Sequence, residues 1–255
     1  MQVLGKIFIF IFGLCWGSFL NVCIYRIPRN KSIINPPSHC PVCQQAIKPI
    51  DNIPLVSYLL LRGRCRYCQT RIPLRYPTVE ALTAIIFLLF ANKYGWGWER
   101  VICLALASVL VVIAFIDLEH YLIPDVLTYP TIIIGLVLSL LPDGMNPLEA
   151  IIGLLVGGGV IYLLLVVSPY VFGKEGMGGG DVKLAALMGV YLGWQKVLLG
   201  LFFASLSGSI VGGILILLKK KERKDYIPFG PYLVLGTLIM LLWKENLMGL
   251  LRWLR

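Results

Sequence analysis

Charged residues are scarce in this 255-residue chain, at 14% of the composition, whereas 58% of the residues are hydrophobic. Water-soluble domains carry about 25% charged and about 45–50% apolar residues. The shortage of charge excludes an ordinary soluble fold of this length, and it excludes a disordered chain or one that coats nucleic acid. We expect no nucleic-acid partner, and we expect the net charge of +10 to mark one side of a membrane.

Eight stretches lack Asp, Glu, Lys and Arg altogether, and a helix needs about 20 mostly apolar residues to cross a bilayer. The stretches are Ile7–Tyr25, Ala81–Asn92, Val101–Ile116, Val126–Pro142, Ala150–Gly173, Leu184–Gln195, Val197–Leu218 and Tyr226–Trp243. Two of them are short: the second needs residues 78–80 to lengthen it, and the sixth is expected to begin near Asp181. The pattern predicts an all-α polytopic membrane protein with about eight transmembrane helices.

The first stretch lacks a small-residue cleavage site, so we interpret residues 1–25 as a permanent span rather than a signal peptide. With the N-terminus outside, sixteen of the 23 Lys and Arg residues fall on the cytoplasmic side, including the run KKKERK at 219–224. Cytoplasmic loops are enriched in Lys and Arg. We therefore expect an N-out orientation with both termini outside.

The one sizeable polar segment, residues 26–77, follows this first span. It carries Pro, Arg and Cys clusters and is predicted to fold as a small cytoplasmic domain. Residues 78–255 are predicted to form a polytopic membrane domain. The chain shows neither an internal repeat nor a low-complexity tract.

Four of the seven cysteines form two pairs in this loop, Cys40-Pro-Val-Cys43 and Cys65-Arg-Tyr-Cys68. Two C-x-x-C turns can close a tetrahedral four-sulfur shell around a structural zinc ion. Two disulfides or a redox C-x-x-C are the alternatives, although a reducing cytoplasm argues against stable disulfides. We expect zinc on these four sulfurs, holding the loop together without doing chemistry. The others are expected to be inert packing residues: Cys15, Cys23 and Cys103.

Two aspartates stand at the ends of apolar stretches, where an ionisable side chain is costly and marks a candidate functional site. Asp117 follows residues 101–116, and Asp181 follows the glycine-rich run 176–180. Two predicted spans lie between them, and such a hairpin returns the chain to the side that it left. Both carboxylates are therefore expected at the cytoplasmic edge.

Two carboxylates in a poorly solvated site share one proton, so one can deprotonate water while the other polarises a carbonyl. That pair could hydrolyse a peptide bond without a metal, and the glycines would let a substrate backbone approach closely. The alternative is structural: Asp181 would cap its helix, in contact with Lys183. The sequence by itself does not prove that Asp117 and Asp181 meet.

Other polar residues receive structural interpretations. Asn21 is expected to form an inter-helix hydrogen bond, and Asp125 to cap the fourth span. Glu80 is expected to pair with Arg75 or to serve as a helix-start charge, with a part in cofactor chemistry as its alternative. Three further residues are interpreted as bystanders, one beside the cysteines and two at the membrane interface: His39, Glu119 and His120.

Six segments carry a resemblance to a known family. They are GSFLNVCIYRIP (17–28), PSHCPVC (37–43), IKPIDNIPLVSYLLLRGRCRYC (47–68), IPLRYPTVEALTA (72–84), IDLEHYLIPDVLTYP (116–130) and GMGGGDVKLAALMG (176–189). With them the chain resembles the type 4 prepilin peptidase family over nearly its whole length. The last two segments are similar to that family's I-D…I-P-D and G-x-G-D motifs, which makes Asp117 and Asp181 the implied catalytic aspartates.

The resemblance implies an intramembrane aspartic endopeptidase of the bacterial cytoplasmic (inner) membrane. Such enzymes cut the basic leader from type IV prepilins and pseudopilins, typically after a glycine, for pili, type II secretion or DNA uptake. Many then methylate the new N-terminus with S-adenosylmethionine, an activity associated with the loop at 26–77. That loop lacks a Gly-rich nucleotide fingerprint after a strand, so no cofactor-binding residue is assigned. The expected partners are prepilins or pseudopilins and the lipid bilayer.

Three other functions stay open at this point. The aspartates could be ion sites of a transporter or channel, although transporters tend to keep such charges near the midplane. The chain could be a zinc-bearing scaffold for pilus assembly, or a peptidase that does not methylate. The sequence does not indicate an oligomeric state.

Overall fold

The computed structural model describes residues 2–142, 144–172, 178–219 and 226–243. Their helices are α1 (Gln2–Arg26), α2 (Val56–Leu60), α3 (Arg75–Lys93), α4 (Trp98–His120), α5 (Asp125–Ser139), α6 (Pro147–Phe172), α7 (Gly179–Leu217) and α8 (Gly230–Leu242). In this part of the chain, β-structure is limited to two isolated bridges, which confirms the all-helical prediction. Gly176, Met177 and the basic residues 220–224 lie outside the described residues.

The charge-free stretches of the sequence overlap the long helices. Four of these helices, α1, α4, α6 and α7, are long and apolar enough to cross a membrane. The apolar helices α5 and α8 are shorter, with 15 and 13 residues. Large apolar side chains such as Phe8, Ile133 and Phe202 are exposed on the helix surfaces. Hydrocarbon, rather than water, suits surfaces of this kind.

Helix α7 contains a break at Gly193, where φ is 75° and ψ is 170°. Glycine adopts such a backbone readily, whereas other residues are strained there. A Cβ atom on Gly157 of α6 would contact both the carbonyl oxygen of Ala185 and the Cγ2 of Val197. In a straight helix, Ala185 and Val197 would lie twelve residues and about 18 Å apart. Because both lie against the same position on Gly157, the chain must fold back between them, at Gly193. The sixth and seventh charge-free stretches are therefore separate helical segments joined by this turn.

The chain forms two compact units, Met1–Val112 and Ile113–Arg255, whose boundary falls inside α4. In the first unit α1 packs against α3. Asn21 Nδ2 of α1 donates a hydrogen bond to the carbonyl oxygen of Tyr76, at 3.0 Å, which confirms the predicted inter-helix bond. Trp16 Nε1 donates to Ser108 Oγ at 2.9 Å and ties α1 to α4. The domain boundaries at 25/26 and 77/78 stay a prediction.

In the second unit, α7 packs against α5, α6 and α8. The Tyr191 hydroxyl of α7 donates to the carbonyl oxygen of Thr131 in α5, at 3.0 Å. Leu184, Leu187 and Leu233 are fully buried in the core of this unit. The first turn of α7 is thereby fixed within a rigid helical frame, and this turn carries Asp181.

Candidate active site and candidate metal centre

Asp117 lies at the C-terminal end of its helix, whereas Asp181 lies at the N-terminal end of its own. Asp117 lies in the last turn of α4 and Asp181 in the first turn of α7. Their exposed fractions are 5% and 4%, and each lies within electrostatic range of the other. The structure thus brings together two buried carboxyl groups that are 64 positions apart in the sequence.

Each carboxyl group is held by a backbone N–H from a glycine. Gly230 N, at the start of α8, donates to Asp117 Oδ2 at 2.9 Å. Gly178 N donates to Asp181 Oδ2 at 3.1 Å. Among the described residues, these are the hydrogen bonds to the two side chains, and both go to Oδ2. Neither Oδ1 atom accepts a hydrogen bond from the described residues.

The sequence did not reveal the contact between Gly230 and Asp117. A Cβ atom on Gly230 would stand 2.6 Å from Asp117 Oδ2, so only glycine lets the start of α8 approach the carboxylate this closely. The Gly-Pro pair at 230–231 is a local signal for a helix start. It carries no information about a partner 113 positions earlier in the chain.

The capping alternative for Asp181 is part of its role. Gly178 is the N-cap of α7, and Asp181, the third helical residue, accepts a hydrogen bond from the Gly178 N–H; since glycine has no side chain, only this half of a capping box forms. Lys183 forms an ion pair with Asp125 rather than with Asp181. The predicted capping role of Asp125 is wrong, because Pro124 is the N-cap of α5 and no side chain caps that helix. Asp125 is the first residue of α5, one position after the N-cap, and it forms an ion pair with Lys183 instead.

Two tyrosines next to the carboxylates were also missed. Tyr226 lies just before α8, within electrostatic range of both Asp117 and Asp181. Its ring contacts that of Tyr121, with ring centroids 5.6 Å apart. Tyr121 lies within the I-D…I-P-D segment, four residues after Asp117, whereas Tyr226 belongs to neither aspartate motif and is placed here by the tertiary structure alone.

The four loop cysteines converge in the first unit. The Sγ atoms of Cys40, Cys43, Cys65 and Cys68 all lie within 4.8 Å of one another. The Cys40–Cys68 pair is 3.7 Å apart and the Cys43–Cys65 pair 4.0 Å. Tetrahedral zinc with Zn–S bonds of about 2.3 Å requires S···S separations of about 3.8 Å. The cluster is therefore close to the geometry of a tetrahedral zinc site.

Two turns with the same local structure, 25 positions apart, deliver these sulfurs. Gln44 N donates to Cys40 O at 2.9 Å, and Gln69 N donates to Cys65 O at 3.0 Å. Both glutamines have positive φ, 60° and 58°, and each turn is closed by one isolated bridge. The two segments share only the pattern Cys-x-x-Cys-Gln-x-x-Ile, which is too short to stand out as a repeat in the sequence. His39 lies outside the sulfur cluster, with its Nδ1 2.9 Å from Pro37 O.

Charge and hydrogen bonding support this loop. Hydrogen bonding with the side chain and backbone of Thr70 lowers the pKa of Cys68 to about 6, whereas burial and the neighbouring cysteine sulfurs raise the pKa of Cys43 to about 11, so the clustered thiols do not ionise independently. Asp51 forms a bidentate ion pair with Arg66, at 2.8 and 2.5 Å. The hydrogen bonds from Arg66 hold the pKa of the Asp51 carboxyl below its ordinary value.

Glu80 joins the loop to α3. It is buried, and its Oε2 accepts a hydrogen bond from Leu55 N at 2.9 Å. A second hydrogen bond comes from Ser18 of α1. The predicted pairing with Arg75 is therefore replaced by backbone and hydroxyl donors, since Leu55 has a positive φ of 59° that turns its N–H toward the carboxylate.

Comparison with known proteins covers both units. Residues 11–94 match the model described as Bacterial Peptidase A24 N-terminal domain, and residues 104–213 match the Type IV leader peptidase family. A relative from Aeromonas hydrophila named prepilin leader peptidase/N-methyltransferase is 41% identical, over 94% of this chain and 91% of its own. A relative of the same name from Neisseria gonorrhoeae is 35% identical, over 95% and 92% of the two chains.

A third relative with this name, from Myxococcus xanthus, is 42% identical over 84% of this chain and 64% of its own. No solved structure matches the chain. The resemblance inferred from the sequence motifs is thus confirmed over most of the length, and the apolar helices are those of a multi-pass membrane protein. The chain belongs to the type IV leader peptidase family.

Proposed function

We propose that this protein removes the basic leader from type IV prepilins and pseudopilins and then methylates the new N-terminus. The observation that carries the proposal is the similarity, at 41% identity over 94% of the chain, to a relative named for both activities. Both family models match, one over each part of the chain. The two activities are assigned to different parts of the molecule, cleavage to the aspartate site and methylation to the loop at 26–77.

Asp117 and Asp181 are the proposed catalytic residues. The ionised member of the pair takes a proton from a water molecule, and the water oxygen attacks the scissile carbonyl carbon. The protonated member gives its proton to the carbonyl oxygen, which yields a neutral tetrahedral diol. Return of a proton to the leaving nitrogen then breaks the C–N bond and releases the leader and the mature pilin.

The geometry of the carboxyl groups supports this mechanism. Burial keeps both groups poorly solvated, and two neighbouring carboxylates in such a site resist double ionisation, so the pair holds one proton. The N–H groups of Gly178 and Gly230 fix the Oδ2 atoms. Fixed carboxylates need little reorganisation during the reaction, which is the main way in which enzyme sites stabilise a transition state.

We place the site at the cytoplasmic face of the bacterial inner membrane, in a chain with about eight spans and its N-terminus outside. The turn at Gly193 supports this number, because it divides α7 into two segments. The helices α5 and α6 separate Asp117 from Asp181 and form the hairpin that returns the chain to one side. A prepilin could then keep its apolar helix in the bilayer and present its leader junction at this edge.

Zinc on Cys40, Cys43, Cys65 and Cys68 has a structural role in this proposal. A four-sulfur shell leaves no coordination position for water, so the ion would supply rigidity to the loop and take no part in cleavage. The methyl donor, S-adenosylmethionine, is a co-substrate of the loop region. We infer that residues 26–77 form the methyltransferase region and residues 78–255 the peptidase domain.

An ion-transport function has less support. Both carboxylates lie at helix ends, whereas transporters hold coupling charges near the membrane midplane. A scaffold function would not explain why two carboxylates are buried and held by glycine N–H groups. Ion flux into vesicles that disappears in Asp117→Asn would favour transport over proteolysis.

Intact-mass analysis tests the proposed function directly. A prepilin with a basic leader and a Gly-Phe junction is incubated with purified enzyme and S-adenosylmethionine, beside an Asp181→Asn control. We expect loss of the leader and one added methyl group with the wild type only. Cleavage without the added methyl group would reduce the function to a peptidase, and an uncut substrate would reject the peptidase assignment.

A further inference from the structure

We propose that the hydroxyl group of Tyr226 contacts the prepilin backbone at the scissile junction, and that Tyr121 holds the Tyr226 ring in position. This inference rests on the proposed peptidase function. It assigns a substrate-contacting residue that lies outside both aspartate motifs and a positioning residue that lies within the I-D…I-P-D segment, and it concerns the second unit alone.

Distances place the phenol beside the carboxyl pair. The Tyr226 hydroxyl oxygen lies 3.9 Å from the point where a Cβ atom on Gly178 would stand, and Asp181 Oδ2 lies 4.0 Å from the same point. Gly178 provides the N–H that holds Asp181. Apart from Gly178 and its chain neighbours, no heavy atom of the described residues comes nearer than 3.9 Å to this point, so an atom of a substrate backbone fits there. Asp117 also acts on the phenol electrostatically.

The two tyrosine rings are accessible, unlike the aspartates that they adjoin. Tyr226 is 45% exposed and Tyr121 is 52% exposed. Their centroids are 5.6 Å apart with an interplanar angle of 59°, a tilted arrangement that aromatic pairs prefer. Tyr121 ends α4 with a positive φ of 53° and donates its N–H to the carbonyl oxygen of Asp117 at 2.9 Å. Tyr121, whose ring contacts that of Tyr226, is therefore held one helical turn from the proposed catalytic residue Asp117.

The chemistry of the site calls for such a donor. The N–H groups of Gly178 and Gly230 are engaged by the two carboxylates. A phenol has an ordinary pKa of about 10 and stays protonated at neutral pH, so it can donate a hydrogen bond. A hydrogen bond to the peptide oxygen at the junction would strengthen as negative charge builds on that oxygen in the transition state, before the protonated aspartate has transferred its proton. The proton stays on the phenol throughout, and no covalent bond to tyrosine forms.

Removal of the hydroxyl group alone tests the proposal. Purified full-length Tyr226→Phe is assayed with the prepilin by timed intact-mass analysis, and kcat and KM are determined separately. We expect kcat to fall about tenfold with little change in KM, since a single neutral donor is lost. The matched control is Tyr162→Phe, the same chemical change at a 59% exposed position of α6, which should behave as the wild type.

The positioning role of Tyr121 has its own test. Tyr121→Ala removes the ring contact with Tyr226 and should lower kcat by a similar factor. Tyr121→Phe keeps the ring and should retain most of the wild-type kcat. Equal zinc content and equal thermal melting of the variants would show that each is folded.

The results separate this inference from the proposed function. If the wild type cleaves and Tyr226→Phe matches it in kcat, the contact is rejected and the peptidase assignment stands. A change in KM alone would reject a contact that strengthens in the transition state. If the wild type fails to cleave any prepilin, the proposed function is rejected and the inference with it.

Discussion

The cysteine loop and the aspartate site reach their geometry by different routes. In the loop, each pair of sulfurs is set by a turn of a few residues, and the same turn occurs twice. In the aspartate site, the three defining residues come from the ends of three helices, and Asp117 and Gly230 are 113 positions apart. The first geometry is local in the sequence, whereas the second exists only once the helices have packed.

This difference predicts which changes each region tolerates. A local turn can re-form by itself, so the loop should depend on its cysteines and its metal and little on distant packing. The aspartate site has no local support beyond the hydrogen bond that Gly178 N donates to Asp181 at the start of α7. Small changes in helix packing should therefore alter the geometry of the aspartate site and leave that of the loop unchanged.

Loss of either aspartate should have the largest effect. Asp117→Asn or Asp181→Asn removes the proton exchange that activates water, and we expect cleavage to fall by about 10³-fold or more. Zinc content and methylation of pilin that has already been cut should stay at wild-type levels. The matched control is Asp125→Asn, whose partner is Lys183 and which should retain cleavage within a few-fold. Near-normal cleavage in either test variant would remove that residue from the site.

Loss of one zinc ligand should show the opposite pattern. In Cys40→Ser the four-sulfur shell is broken, so zinc measured by plasma mass spectrometry should drop from about one ion per chain to near zero. We expect methylation to fall at least about tenfold and cleavage to change less, because the aspartates lie in the other unit. Cys15→Ser serves as the control outside the cluster. Equal loss of both activities would contradict their separate locations.

A single methyl group at Gly230 should impair cleavage alone. In Gly230→Ala the added Cβ atom would meet Asp117 Oδ2 at 2.6 Å, so either α8 or the carboxylate must move. A displacement of this size lowers a rate by about 10- to 100-fold. In Gly213→Ala, by contrast, the new methyl group meets nothing within 4 Å, and its cleavage rate should match the wild type. Wild-type cleavage by both variants would show that the Gly230–Asp117 contact is dispensable.

Acid should loosen the loop partly through Asp51. The pKa of Asp51 is lowered in the folded protein, chiefly by hydrogen bonds from Arg66. Its contribution to stability is therefore present above the unfolded pKa of about 3.9 and is lost as the pH falls through the lower folded pKa. Protonation of the cysteine thiolates would release zinc in acid as well and loosen the loop independently of Asp51. Hydrogen exchange at residues 63–72, corrected for intrinsic rates, should therefore rise between about pH 5 and pH 2 in the wild type and in Asp51→Asn, and by a few-fold more in the wild type. An equal rise in the two proteins would assign the change to other groups.

Sequence reasoning was most successful where the signal is periodic or local. Charge-free stretches marked the apolar helices because a membrane span must be continuous along the chain. The Cys-x-x-Cys spacing predicted four sulfurs that the structure places within 4.8 Å. It did worse on single contacts: Asp125 pairs with Lys183 instead of capping α5, and Glu80 accepts from Leu55 instead of pairing with Arg75. Each error concerns a partner in another element, which spacing cannot reveal.

By itself, the sequence determined the membrane character, the helical class, the metal-site cysteines and the two aspartates that are proposed to act. These follow from composition, from spacing and from motifs that resemble one family. Only the tertiary structure decided that α7 folds back at Gly193, that Gly230 holds Asp117, and that Tyr226 stands beside both carboxylates. The physical reason is that packing of helix ends depends on close approaches at single glycines, and a glycine looks the same in the sequence whether or not another chain segment lies against it.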